Sequence, residues 1–132
     1  MNLVDSSAWL EYFANGPNAQ FFAPAIENSR DLVVPAIVIY EVFKRVAQQR
    51  DEHAALQAIS VLQHGHTVEL DAVLAMAAAR ISVKEKLPMA DSIILATAHA
   101  TAAIVWTQDS DFEKFPGVKF RPQKSNLRAR AR

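Results

Sequence analysis

Short apolar runs alternate along this chain with longer stretches whose apolar residues recur at a helical period, and that alternation constrains the fold more than any other feature. A brief β-branched run bounded by turn residues is a buried strand. A longer stretch with a 3.6-residue period is a helix that turns one face to a core. Strands and helices in alternation give an α/β sheet wrapped by helices.

Asn2 to Val4 reads as the first strand, after which Ser6 or Ser7 is placed to cap a helix carrying Trp9, Leu10 and Phe13. Asn15-Gly16-Pro17-Asn18 ends that helix, and a second covers about residues 19–28. Leu32-Val33-Val34, closed by Pro35, is the next strand. Two helices are expected over about 36–49 and 51–64, then a brief strand within 66–70. Asp71 should cap a long Ala-rich helix reaching about Lys86, with Leu74, Ala77, Ala78, Ile81 and Glu85 on one line that is apolar until its last turn. Pro88 suits the first turn of a helix running to about Thr101. Ile104 to Thr107 is a strand, 110–115 a short helical turn and 118–120 a last strand.

A chain of 132 residues fits one domain able to bury about two thirds of its unfolded surface without staples. Cys is absent, as is any N-x-[ST] site, so neither a disulfide framework nor a glycosylated surface is suggested, and a reducing, cytoplasmic setting is expected. The start lacks a basic segment followed by a long apolar run, and no stretch is apolar enough to span a bilayer, so no membrane role is expected. The net charge of zero hides an asymmetry: all 14 acidic residues precede Val118, while Lys119, Arg121, Lys124, Arg128, Arg130 and Arg132 follow it. An acidic body repels nucleic acid unless metal ions, the tail or a partner offset the repulsion.

Parallel strands end along one edge, where ligand sites of open α/β sheets lie. Asp5 follows the first strand and Asp109 lies two residues past Thr107, so both fall on that edge. Glu41, early in the helix after the second strand, and Asp91, in the first turn after Pro88, can also point there. Each has a structural reading when taken alone. Asp5 is a loop acid near a helix start, Asp109 or Asp111 a cap, Glu41 the polar side of its helix, and Asp91 a partner of the helix dipole. Taken together, clustered carboxylates repel one another, and a hard cation with oxygen ligands such as Mg²⁺ or Mn²⁺ is their natural counter-charge. His64-Gly65-His66 reads as a polar turn rather than a zinc site, and neither a phosphate-cradling Gly-rich motif nor a Ser-His-Asp nucleophile stands out.

Four strings carry a family likeness in order: Asp5-Ser6-Ser7 after the first strand, Pro35-Ala36 followed by Glu41-Val42, Leu87-Pro88-Met89-Ala90-Asp91 leading into Ile94-Leu95-Ala96, and Thr107-Gln108-Asp109-Ser110-Asp111-Phe112. Over about residues 1–122 the chain resembles PIN domains, and most nearly the VapC-type toxins of type II toxin–antitoxin pairs. The resemblance implies a three-layer α/β/α fold with a central, mainly parallel sheet. It implies a divalent-metal-dependent endoribonuclease in which a metal-activated water hydrolyses RNA, leaving a 5′-phosphate and a 3′-hydroxyl.

Asp5, Glu41, Asp91 and Asp109 match the family's acidic positions. The first, third and fourth are the implied Mg²⁺ or Mn²⁺ anchors, and Glu41 is a ligand or an orienter of the water. Ser6 and Thr107 match hydroxyl positions that orient those groups, and Asp111 matches a further acidic position behind them. The likeness also implies a cognate antitoxin whose segment lies in a groove and blocks the acidic pocket, and a homodimer; the Ala-rich helix over 71–86 offers either a closely packed face for it or ordinary core packing. Residues 123–132 form a basic tail in which Lys124, Arg128, Arg130 and Arg132 are candidate RNA contacts, against the plainer reading of a solvated segment. The alternative function is a catalytically inactive PIN-like interaction module. Receiver and haloacid-dehalogenase readings lack their Asp patterns here.

Overall fold

Successive residues of a strand point to opposite faces of the sheet, so a strand buried at consecutive positions must be covered on both sides. β1 (Asn2–Val4) and β2 (Leu32–Pro35) meet this condition, since Leu3, Val4 and every residue of β2 are buried. With β3 (His66–Val68), β4 (Ile104–Thr107) and β5 (Lys119–Phe120) they form a five-stranded sheet in the order β3-β2-β1-β4-β5. Every neighbouring pair is parallel. The computed structural model describes residues 1–124; Arg128, Arg130 and Arg132 of the basic tail lie outside the described residues, and Lys124 is exposed.

Six helices connect and cover the strands: α1 (Ser6–Phe13), α2 (Ala19–Glu27), α3 (Ala36–Gln49), α4 (Glu52–Leu62), α5 (Ala72–Glu85) and α6 (Met89–Thr101). α1 and α2 pack on β4 and β1, α6 on β2 and β4, and α3 bridges α1, β2 and α6 while pairing with α4. The main core gathers Trp9, Phe22, Val38, Leu62, Ile94 and Phe112 around the strand residues. Truncating a fully buried aromatic such as Phe22 would cost about 3–5 kcal/mol. No helix among the described residues is long and apolar enough to cross a membrane.

Helix starts differ from expectation in instructive ways. Neither Ser6 nor Ser7 caps α1; Asp5 does, its Oδ1 accepting the Ala8 amide at 3.1 Å. Asp71 caps α5 as its position suggested, accepting Leu74 N at 2.8 Å, and Asp51 caps α4 in the same way. Pro88 precedes α6 as its N-cap instead of lying in the first turn. α4 stops at Leu62, and the His64-Gly65 step that follows needs glycine, because a Cβ at Gly65 would sit 2.9 Å from the Leu32 carbonyl oxygen. His66, the first residue of β3, pairs through Nε2 with the Arg30 carbonyl at 2.8 Å.

On α5 the small-residue line turns inward. Leu74 and Ala78 are buried against Ile93 and Ala96 of α6, with Ala77 and Ile81 beside them. The opposite side leaves Val73 72%, Met76 52% and Val83 83% exposed, so the apolar surface available to a partner is not the Ala line itself.

Strand order decides where a site can form. The chain moves from β1 outward to β2 and β3, then returns to place β4 on the other side of β1. The crossovers therefore leave in opposite directions from β1 and β4, which opens a crevice at their carboxyl ends. Asp5 and Asp109 are the acids that follow those two strands.

Candidate metal centre

Strand register sets the first contact of the site. Val4 pairs with Trp106, and the Asp5 amide continues the ladder to the Trp106 carbonyl at 3.1 Å, so the next residue of β4, Thr107, stands beside Asp5. The buried Thr107 hydroxyl donates to Asp5 Oδ2 at 2.7 Å and accepts the Asp109 amide at 2.8 Å. One side chain thus couples the two strand ends.

Asp5 is 3% exposed and accepts from three donors, since Ser7 Oγ reaches Oδ1 at 2.8 Å alongside the Ala8 amide. Burial nevertheless pushes its carboxyl up to about 6. The hydrogen bonds from Thr107, Ser7 and Ala8 work in the opposite direction, and the charge of Asp109 adds to the rise. Desolvation outweighs three favourable hydrogen bonds.

Glu41 sits on the second turn of α3, between the buried Val38 and Val42, and its Oε1 accepts the Ser6 hydroxyl at 2.9 Å. Its carboxyl is also raised, first by burial and then by Asp109, with Ser6 working against the rise. Asp91 enters from the first turn of α6. Its carboxyl is pushed up to about 8, mainly by burial and then by the charge of Asp109, with hydrogen bonds to Asp109 and Asp111 contributing.

Asp109 caps the short helical turn Ser110–Phe112 by accepting the Asp111 amide at 2.9 Å. That contact brings Asp111 into the cluster, where one carboxylate oxygen each from Asp91, Asp109 and Asp111 lie within 4.8 Å of one another.

The structure therefore brings Asp5, Glu41, Asp91 and Asp109 to one crevice, with Ser6 and Thr107 hydrogen-bonded to the carboxylates beside them. Asp111, expected in a supporting position, brings a carboxylate oxygen within 4.8 Å of one from Asp91 and one from Asp109. Sequence reading missed Ser7 as a partner of Asp5; an Asp-Ser-Ser string offers two hydroxyls and does not say which carboxylate each will serve. Among the described residues the one ion pair is Lys114 with Glu85, so no described cation balances the acids. One ligand oxygen from each of three carboxylates, beside acids whose proton affinity is raised mainly by burial and further by the neighbouring negative charge, is a donor set suited to a hard divalent cation. Among the described residues the cluster is made of aspartates alone; His64 lies in the turn after α4 and His66 begins β3.

A family model for the PIN domain matches residues 3–118, from Leu3 within β1 through α6 and past β4. The chain belongs to the PIN domain family. No curated protein matches it. Solved PIN folds of similar shape include a toxin–antitoxin complex from Klebsiella pneumoniae, 21% identical, covering 89% of this chain and 95% of that one, with a TM-score of 0.76. The sarcin–ricin loop cleaving toxin VapC20 from Mycobacterium tuberculosis is 17% identical over 92% of this chain and 100% of its own, with a TM-score of 0.77. FitAcB from Neisseria gonorrhoeae is 24% identical over 92% and 98%, with a TM-score of 0.70. At these identities what is shared is the PIN architecture.

Proposed function

We propose that this PIN domain is a divalent-metal-dependent endoribonuclease and the toxin of a toxin–antitoxin pair. The observation that carries the reading is the convergence of Asp5, Glu41, Asp91, Asp109 and Asp111 at the β1/β4 crevice with no described cation to balance them. Acids crowded for fold alone would be a steady liability, because each buried charge weakens the apo protein. The toxin–antitoxin part is supported by structural neighbours that are themselves toxins or toxin–antitoxin complexes.

Asp91, Asp109 and Asp111 would hold Mg²⁺ or Mn²⁺ together with Asp5. The bound cation supplies Lewis acidity, lowering the pKa of a water and offsetting charge on the phosphate oxygens. Thr107 fixes the Asp5 carboxylate and the Asp109 backbone in one geometry, and Ser7 holds the other oxygen of Asp5. Glu41, kept in place by Ser6, is placed to orient the attacking water and take its proton. Its raised proton affinity makes it a better base than a solvated glutamate.

The antitoxin would dock in the apolar cleft of about 310 Å³ between α1, α3 and α4, where Leu10, Phe13, Val46 and Val61 line the wall. The exposed Val73, Met76 and Val83 support a homodimer through α5. A cytoplasmic setting and a nuclease domain ending near residue 122, with a basic tail beyond it, complete the proposal.

Incubating the purified protein with total RNA in EDTA, Mg²⁺ or Mn²⁺ tests the activity directly. Cleavage should need the cation and should fall to the EDTA level in Asp5→Asn and Asp109→Asn while their circular dichroism stays native. Undiminished cleavage by both variants, or cleavage in EDTA, refutes the reading.

A further inference from the structure

An RNA strand passing through the metal centre must rest its neighbouring nucleotides somewhere on the protein. On the α1/α3 side of the carboxylates lies a pocket of about 480 Å³ whose polar lining comes from Ser7, Glu11, Arg45, Gln49, Gln108 and Gln123. Its walls are extensions of the site. Ser7 is two residues past Asp5, Gln108 immediately precedes Asp109, and Arg45 is one helical turn past Glu41.

Hydrogen bonds join the two places. Ser7 Oγ donates to Asp5 Oδ1 and accepts the Gln108 amide at 3.2 Å. The buried Gln108 side chain accepts from Asn18 Nδ2 at 2.7 Å, and Asn18 Nδ2 also donates to the Pro122 carbonyl at 2.9 Å. Glu11, only 7% exposed, accepts the Asn18 amide on Oε2 at 2.7 Å. Gly16 lies so close that a Cβ there would collide with the Glu11 carboxylate, so the acid is pinned against the backbone. Among the described residues neither Glu11 nor Arg45 has an ion-pair partner, and Arg45 is exposed at the rim.

We propose that this pocket is a nucleotide subsite that receives the ribonucleotide next to the scissile phosphate. Arg45 grips the backbone phosphate, and Glu11 reads the edge of the base with help from Gln49. The assignment rests on the nuclease reading. A carboxylate only accepts, so the base it favours shows N–H donors, and guanine presents two side by side at N1 and N2. Arg45 supplies the charge-assisted contact to phosphate.

A protein segment fits less well. A cationic side chain drawn to Glu11 would meet Arg45 in the same pocket, and an apolar one would bury amides without partners. On the other flank of the acids, Lys114 is held by the Glu85 carbonyl at 3.3 Å and its carboxylate at 3.7 Å, which leaves Arg45 better placed to take a phosphate.

The test uses the full chain with Mn²⁺ and a pool of random-sequence oligoribonucleotides, comparing wild type with Arg45→Ala, Gln49→Ala and Glu11→Gln. Arg45→Ala, at an exposed helical position, should raise KM about tenfold with kcat within about twofold. It should also flatten the slope of log affinity against log salt by about 0.7, the signature of one lost phosphate contact on a single strand. Sequencing the products should show guanine enriched at one position flanking the cut for wild type, and that enrichment lost in Glu11→Gln. If wild type cleaves and the variants keep its KM, salt slope and flanking preference, the pocket belongs to a protein partner and the subsite is overturned while the nuclease reading survives. If wild type cleaves no RNA, both fall.

Discussion

Loading the acidic crevice with a divalent cation should expel about one proton at pH 7. The Asp91 carboxyl is pushed up to about 8 by burial and by the charge of Asp109, so at pH 7 the carboxylates it is coupled to share a proton most of the time. Asp5, pushed up to about 6, is about one-tenth protonated at the same pH. A cation that takes ionised carboxylates must displace both fractions, which together make about one proton per site; at pH 9 the sum falls to about one-tenth. Affinity for the ion should accordingly tighten by about tenfold per pH unit around pH 7 and level off above pH 8.

Calorimetric titration with Mn²⁺ at pH 7 reads this number directly. The apparent heats in PIPES and in Tris should differ by the protons released times the difference in buffer ionisation enthalpy. Asp91→Asn should shrink that difference, because it removes one carboxylate from the coupled set that holds the proton. Measurable binding with equal heats in the two buffers would refute the reasoning, since the carboxylates would then already be charged before the metal arrives.

The same acids set how the metal-free protein responds to pH. A carboxyl at 3.8 in the unfolded chain and about 6 or about 8 when folded favours the folded state fully at low pH and loses that contribution as pH rises through the folded values. Thermal melts in EDTA should therefore fall in midpoint between about pH 4 and pH 8, with Asp5 alone accounting for about 3 kcal/mol, and added Mn²⁺ should restore the midpoint most at the alkaline end. A flat EDTA profile would count against the raised proton affinities. Thr107→Val removes the hydroxyl shared by Asp5 and Asp109 at nearly constant shape; it should cost about 1–3 kcal/mol and move the acid limb of the cleavage profile upward, while Thr107→Ser keeps both contacts. Equal behaviour of the Val and Ser variants would remove Thr107 from the site. Val73→Glu combined with Val83→Glu should leave a folded monomer in light scattering where wild type is a dimer, and a wild type that is itself monomeric disposes of the α5 interface.

Periodicity carried most of the architecture because the signals are local. Leu32-Val33-Val34 could be read as a strand from three β-branched or branched residues and a following proline, and it is one. The pattern was weaker where two chemistries compete for the same side chain. Ser6 and Ser7 are better cap residues by propensity than their roles suggest, yet their hydroxyls serve Glu41 and Asp5, and the preceding aspartate caps α1. The acids after β1 and β4 were legible because the carboxyl edge of a parallel sheet is where such residues act. Asp111 was harder, since its place depends on a 3₁₀ turn closed by its own amide on Asp109. The pocket beside them was invisible in one dimension: Glu11, Arg45 and Gln108 lie on separate elements, and no spacing rule joins them.

Asp5 shows why this fold can hold so many acids in one place. As the cap of α1 it accepts a helix amide, as the residue after β1 it accepts the Thr107 hydroxyl, and Ser7 supplies a third donor. Those contacts come from two hydroxyls and one helix amide that the strand end and the helix start hold beside Asp5, so the side chain is oriented by the fold itself. The remaining unfavourable part is solvation, seen in the rise to about 6, and hydrogen bonds do not remove it. The proposed divalent cation would, for Asp5 and for the Asp91, Asp109 and Asp111 trio. The sheet thus supplies orientation and leaves charge neutralisation to the proposed cation, so that the proton held at these carboxylates and the metal ion would compete for the same oxygens.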